Sequence, residues 1–149
     1  MCLYTTRQRC RDFVKKNKGK TWLYVYKIVR VANIYGSYNY TTIIGRVLES
    51  PFQGYKNKVG LNYACEKYIP KFNRHTEVGK GFHFYLTKES AKKDCHSNRK
   101  IIKCKVFMKD FIAAGVWDNF EVSNKEKENY QAVFGSYYVS EHQYNKALI

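Results

Sequence analysis

The stretch from Thr21 to Ala32 limits the fold of this chain more than any other. Trp, Tyr, Val and Ile dominate it, residue types that suit a pleated strand and lose side-chain freedom in a helix. Apolar side chains fall on both alternating faces, so neither face is spare for solvent. The stretch therefore predicts a long strand in the middle of a sheet. A chain of 149 residues organised around one such strand predicts a single domain with one core.

Its neighbours extend the pattern. Asn33 to Asn39 reads as a turn through Gly36 and Ser37, and Tyr40 to Leu48 as a second strand, together a hairpin. Ser50-Pro51-Phe52-Gln53-Gly54 is a turn by its Pro and Gly. Residues 55–80 offer only short extended pieces between Gly60, Pro70 and Gly79. Gly81 to Leu86 reads as a short strand, and Thr87 caps a short helix through Ser90, Ala91 and Lys93. From Lys100 to Met108 the alternation is clean: Ile102, Cys104, Val106 and Met108 share one face, while Lys103 and Lys105 point away. Phe111 to Trp117 fits either a strand end or a helical turn, and Gln131 to Ser140 reads as the last strand. At the start, Thr5 or Thr6 caps a helix that Gly19 ends, with Cys10, Phe13 and Val14 on one narrow apolar face. The expected fold class is α+β: a mostly antiparallel sheet with two short helices. It forms one domain, residues 1–149, with a basic helix at 1–20 and a sheet-containing body at 21–149.

Charge is spread unevenly over this frame. The chain carries 27 Lys+Arg against 12 Asp+Glu, a formal +15. Residues 1–105 hold 23 basic and 6 acidic side chains, and residues 106–149 hold 4 and 6. Self-repulsion of this size adds nothing to stability, so a polyanion is the expected partner. Nucleic acid comes first, because neutralising phosphates releases counterions. The 44% hydrophobic and 17% aromatic content argues against disorder. No apolar run is long enough to span a bilayer, and Met1-Cys2-Leu3-Tyr4 runs into Arg7, Arg9 and Arg11 without an apolar signal core. A cytoplasmic protein with no membrane partner is the expectation. The five cysteines (Cys2, Cys10, Cys65, Cys95, Cys104) are odd in number and irregular in spacing, and read as free thiols. Tyr, Lys and Asn are all abundant, as codon bias in an AT-rich genome would make them, so the 14 tyrosines divide between that origin and function.

The chain resembles a family of small proteins from phages and Bacteroidetes-type genomes. The likeness rests on the opening Met1-Cys2-Leu3, the strand Tyr26-Lys27-Ile28-Val29 and the turn Ser50-Pro51-Phe52-Gln53. It continues in Gly81-Phe82-His83, the helix with Ser90-Ala91, and Ile102-Lys103-Cys104. The resemblance implies a phage or mobile-element origin and brings no activity with it. The Arg-rich start and the Lys-rich residues 99–105 lie outside the shared pattern.

Two sets of residues answer to polyanion binding. The first is the basic helix, with Arg7, Arg9, Arg11, Lys15, Lys16 and Lys18, followed by Lys20. Arg forks grip phosphate oxygens bidentately, whereas an ordinary helix of this kind simply presents a solvated face. The second is the interleaving of Tyr with Lys: Tyr35, Tyr38 and Tyr40 in the first hairpin, and Tyr55, Tyr63 and Tyr68 beside Lys56, Lys58, Lys67 and Lys71. Stacking platforms beside basic grooves hold single strands, though sheet packing claims at least half of such rings. Lys92, Lys93, Arg99, Lys100, Lys103 and Lys105 complete the expected nucleic-acid-binding set.

Chemistry is poorly represented. His83 alternates with Phe82 and Phe84, as a hydrogen-bonded structural imidazole does. Cys95-His96 with Cys104 and His75 lacks the paired spacing that anchors zinc. Cys95 and Cys104 flank Arg99-Lys100, which would favour a reactive thiol. Asp110, Asp118, Glu121, Glu126 and Glu128 form a scattered acidic face without the pairing that acid–base chemistry needs. No phosphate loop, nucleophile elbow or dinucleotide fingerprint occurs. The expectation is a non-enzymatic RNA binder with no cofactor and no metal. Its partner would be RNA, alone or within a host ribonucleoprotein such as a CRISPR effector, which a phage protein would inhibit. RNA is preferred to duplex DNA because no groove-reading helix is apparent. Two alternatives stay open: an ADP-ribosyltransferase-like enzyme around His83, and a virion or host-takeover protein that binds an acidic protein surface.

Overall fold

A computed structural model describes residues 3–38, 40–51, 53–63, 76–78, 80–116 and 131–149. The expected central strand is β2, Trp22–Tyr35, and it runs three residues past Ala32 before the chain turns. On one side it pairs along nine residues with β8 (Arg99–Phe107), from Trp22↔Phe107 to Arg30↔Arg99. On the other it meets β7 (Phe82–Tyr85) at Tyr26↔Tyr85, and then β3 (Ile43–Glu49) from Arg30↔Glu49 to Tyr35↔Ile43. β2 is central, and β2–β3 is the expected hairpin.

Short strands complete the sheet: β4 (Lys56–Asn57), β5 (Gly60–Tyr63), β9 (Phe111–Gly115), β10 (Gln131–Phe134) and β11 (Ser136–Val139). The order is β5-β11-β8-β2-β7-β10-β9, with β3 and β4 branching from β2, and every pairing is antiparallel among the described residues. Gln131 to Ser140 is thus two strands and not one. Only Gly135 separates β10 from β11, yet β10 pairs with β7 and β9 while β11 pairs with β8 and β5. The bend at Gly135 therefore curls the sheet into a ring of pairings, β11–β8–β2–β7–β10. The core fills that curl: Val25 and Val29 of β2, Phe82 and Phe84 of β7, Ile102, Cys104 and Val106 of β8, and Phe134, Tyr137 and Val139 beyond. Phe82 and Phe84 meet Tyr137 edge-on at 4.7 and 5.2 Å, a geometry worth about 0.5–1.5 kcal/mol per pair beyond burial.

Among the described residues three helices dress the sheet, one more than expected. In α1 (Arg7–Lys16) the Thr6 hydroxyl accepts from Arg9 N at 3.2 Å, and Gly19 takes φ +87° just past the end. Cys10 and Phe13 are buried against β9, Phe13 stacking on Phe111 at 5.0 Å, while Val14 stays exposed. In α2 (Lys88–Asp94) Thr87 caps through Ser90 N, and Ala91 closes over Ile28 and Tyr85 on the outer face of β2. The added helix is α3 (Glu141–Leu148), capped by the Ser140 hydroxyl, with Tyr144, Ala147 and Leu148 turned to the core. It closes the gap left where β8 diverges from β11, and Gln143 Oε1 accepts from Lys103 N at 3.2 Å.

A second ribbon pairs β1 (Leu3–Thr5) with β6 (Thr76–Val78). β1 also bridges Val116, and Gly115 is required there, since a Cβ would collide with Tyr4 O and Thr5.

Candidate nucleic-acid interface

A strand exposes alternate residues, so the inward Val25 and Val29 force Trp22, Tyr24 and Tyr26 onto the outer face of β2. On β8 the same rule turns Lys103, Lys105 and Phe107 outward. Cross-strand registry then aligns Leu61, Tyr138, Lys105 and Tyr24 in one row across β5, β11, β8 and β2. Phe107↔Trp22 and Lys103↔Tyr26 flank that row within the β8–β2 pair, and Tyr63 stands beside Leu61 on β5. No acidic side chain occupies these positions.

The face is open and its cations lie among its rings. Trp22, Tyr24, Leu61, Tyr63 and Tyr138 are 41–59% exposed, enough for a planar ligand to reach them. Lys103 Nζ lies 4.0 Å from the Tyr24 ring centre, and Lys105 Nζ lies 4.4 Å from that of Trp22. Trp22 and Tyr24 meet edge-on at 4.8 Å. Lys20, one residue beyond Gly19, lines a shallow groove with Thr21, Trp22 and Tyr24, so the basic segment after α1 runs onto the platform. Along β2 successive outward rings are about 7 Å apart, and across the row each step is about 4.8 Å. An aromatic surface with interspersed ammonium groups can stack unpaired bases and neutralise the phosphates between them.

Compared with known proteins, the chain matches no family model, no curated protein and no solved structure. The site's chemistry therefore rests on its own geometry.

The expected binding residues divide into groups. Lys20, Lys103 and Lys105 belong to the platform or its rim, and Lys100 lies toward α3. Arg7, Arg11, Lys15 and Lys18 line the outer groove of α1 with Val14, on the helix that packs on β9; Arg9 and Lys16 are on the same helix. Lys92 and Lys93 end α2, Arg99 opens β8, and Lys56 and Lys58 lie in and beside β4. Tyr38 and Tyr40 stand exposed at the tip of the β2–β3 hairpin, roughly 35 Å along the strand from Tyr24 at 3.3 Å per residue. Cys2, Cys65, Lys67, Tyr68, Lys71, His75, Asp118, Glu121, Glu126 and Glu128 lie outside the described residues. Sequence reasoning passed over Trp22, Tyr24, Tyr26 and Tyr138; their period-two spacing was visible, but the open face was not.

Cys104, His83 and Lys27 are internal. Cys104 is in the core inside the curl, and burial pushes its thiol up to about 12. Cys95 packs on the other side of the sheet with Ile28 and donates to Arg99 O at 3.5 Å, so the two cysteines share no site. His83 is buried, and its carbonyl faces the ammonium of Lys27 at 3.4 Å. Lys27 shares the inner face of β2 with Val25 and Val29, enclosed by the rings of Phe82, Phe84 and Tyr137 at 5.0–5.7 Å. Desolvation lowers its pKa to about 8, with Cys104 acting weakly the other way. Tyr137 donates to Asn57 Oδ1, and Asn57 Nδ2 donates to Leu48 O and Ser50 Oγ, so this buried polar network ties β4 to β11.

No helix among the described residues is long and apolar enough to cross a membrane.

Proposed function

We propose that the protein binds single-stranded RNA on the outer face of β5–β11–β8–β2, without catalysing a reaction. The observation that carries this reading is the row Leu61–Tyr138–Lys105–Tyr24, an open aromatic and cationic surface on a chain with a formal +15 charge. Rigid strands present the rings, so stacking costs little ordering of the protein. The flat face suits splayed bases better than a duplex groove.

Fluorescence anisotropy with a labelled single-stranded RNA tests it. Tyr24→Ala and Tyr138→Ala should each cost roughly 1–3 kcal/mol of binding while the melting temperature holds, because both rings are exposed. Log affinity should fall with log salt by about 0.7 per phosphate contacted. Arg7, Arg9 and Arg11 changed together to Glu should weaken binding less than Lys103 and Lys105 changed to Glu. Salt-independent binding, or full affinity in both Tyr variants, would refute the platform.

The narrower role, inhibition of an RNA-guided effector, draws support from the phage-type resemblance and is read by adding the protein to a guided-cleavage assay. One observation favours a protein partner as well: Tyr35, Tyr38, Tyr40, Ile43 and Ile44 are all exposed around the hairpin tip. Capture of the same partner protein by wild type and by a Tyr38→Ser, Ile44→Ser variant would remove the tip from that role.

A further inference from the structure

Beside the platform the structure forms a cavity of about 300 Å³. Tyr26 and Ile101 line it from the sheet together with four lysines: Lys100 and Lys103 of β8, Lys88 of α2 and Lys146 of α3. Lys100 donates to Ile149 O, and Lys103 is shared with the platform through Tyr24. Lys88 and Lys146 meet no carboxylate among the described residues. Lys146 is in the last turn of its helix, where the dipole favours a cation. Lys88 is in the first turn of α2, where the dipole opposes one, so local helix stability does not account for it. Lysine side chains from three elements thus line one hollow with no carboxylate beside Lys88 or Lys146 among the described residues, which favours an anionic occupant.

The anion must be compact, multiply charged and continuous with whatever crosses the platform, because Tyr26 and Lys103 belong to both surfaces. A backbone phosphodiester carries one charge and needs a channel open at two ends. A terminal phosphomonoester carries about −1.5 to −2 and offers three oxygens to several donors at once. We propose that this cavity holds the terminal phosphate of an RNA strand lying on the sheet face, which makes the protein a reader of phosphorylated RNA ends. The proposal rests on the single-stranded RNA reading above.

The test compares one short RNA in three forms, 5′-phosphorylated, 3′-phosphorylated and hydroxyl at both ends, by anisotropy in one buffer. One phosphorylated form should bind about tenfold tighter than the hydroxyl form, and which form it is gives the polarity of the strand. In Lys88→Gln/Lys146→Gln that increment should vanish while hydroxyl-ended RNA binds as before, since neither lysine is on the platform. Equal affinity for all three forms, or an increment that survives in the variant, overturns the cavity proposal and leaves the sheet face standing. Failure of every form to bind overturns both.

Discussion

Replacing Lys27 by Met should make the protein more stable, and the gain should depend on pH in a defined direction. The ammonium of Lys27 is sealed inside the sheet, with one long hydrogen bond to His83 O. Its pKa falls from the ordinary 10.5 to about 8, chiefly by desolvation. At 1.36 kcal/mol for each tenfold change in proton affinity, that difference is about 3 kcal/mol against the folded state. Phe82, Phe84 and Tyr137 offset part of it, each cation–ring contact returning about 0.5–1 kcal/mol. Met has nearly the same shape and no charge, so Lys27→Met should gain up to about 1.5 kcal/mol at pH 7. For a chain of this length that raises Tm by up to roughly 6 °C. Below about pH 8 both folded and unfolded wild type carry the proton, and the cost is present in full. Between about 8 and 10.5 only the unfolded chain stays protonated, so wild-type stability rises and the gap to the variant closes. Urea unfolding of both proteins at pH 7 and pH 10 measures the difference, in which titrations shared by the two cancel. A variant less stable than wild type at pH 7, or a gap unchanged at pH 10, would show that Lys27 is hydrated or paired and would refute the reasoning.

Three further outcomes follow from buried groups. Cys104, held in the core with its pKa near 12, should resist iodoacetamide in the native protein at pH 8 and react fully in denaturant; peptide mapping that finds rapid native labelling would contradict its burial. Gln131 is buried with neither amide atom hydrogen-bonded among the described residues, so Gln131→Met should stabilise by about 1–2 kcal/mol, and a lower urea midpoint would mean the amide has a partner. Gly115→Ala puts a methyl group against Tyr4 O and Thr5, and should lower Tm by several degrees as the bridge between Tyr4 and Val116 parts; an unchanged melt would show that β1 yields freely.

What the sequence by itself determined is local. Alternation placed Ile102, Cys104 and Val106 opposite Lys103 and Lys105 on β8, and the two-faced apolar run made β2 central. Thr6 and Thr87 announced their helices because a capping hydroxyl acts within three residues. Ser140 carries the same signal, with Tyr144, Ala147 and Leu148 at helical spacing behind it, so α3 too is legible in the sequence. What only the tertiary structure decided is which face of each strand is inside. Trp22, Tyr24 and Tyr26 on one face and Leu23, Val25 and Val29 on the other are both apolar enough to be buried, so alternation alone does not choose between them. The bend at Gly135 decides it by bringing β11 to β8 and β10 to β7, which closes the curl on the Val25–Lys27–Val29 side. The row Leu61–Tyr138–Lys105–Tyr24 draws its members from four strands spread over more than a hundred residues, and the lysine cavity draws on α2, β8 and α3. Spacing along the chain cannot encode such a site, because registry between distant strands is set by the packing of the whole core.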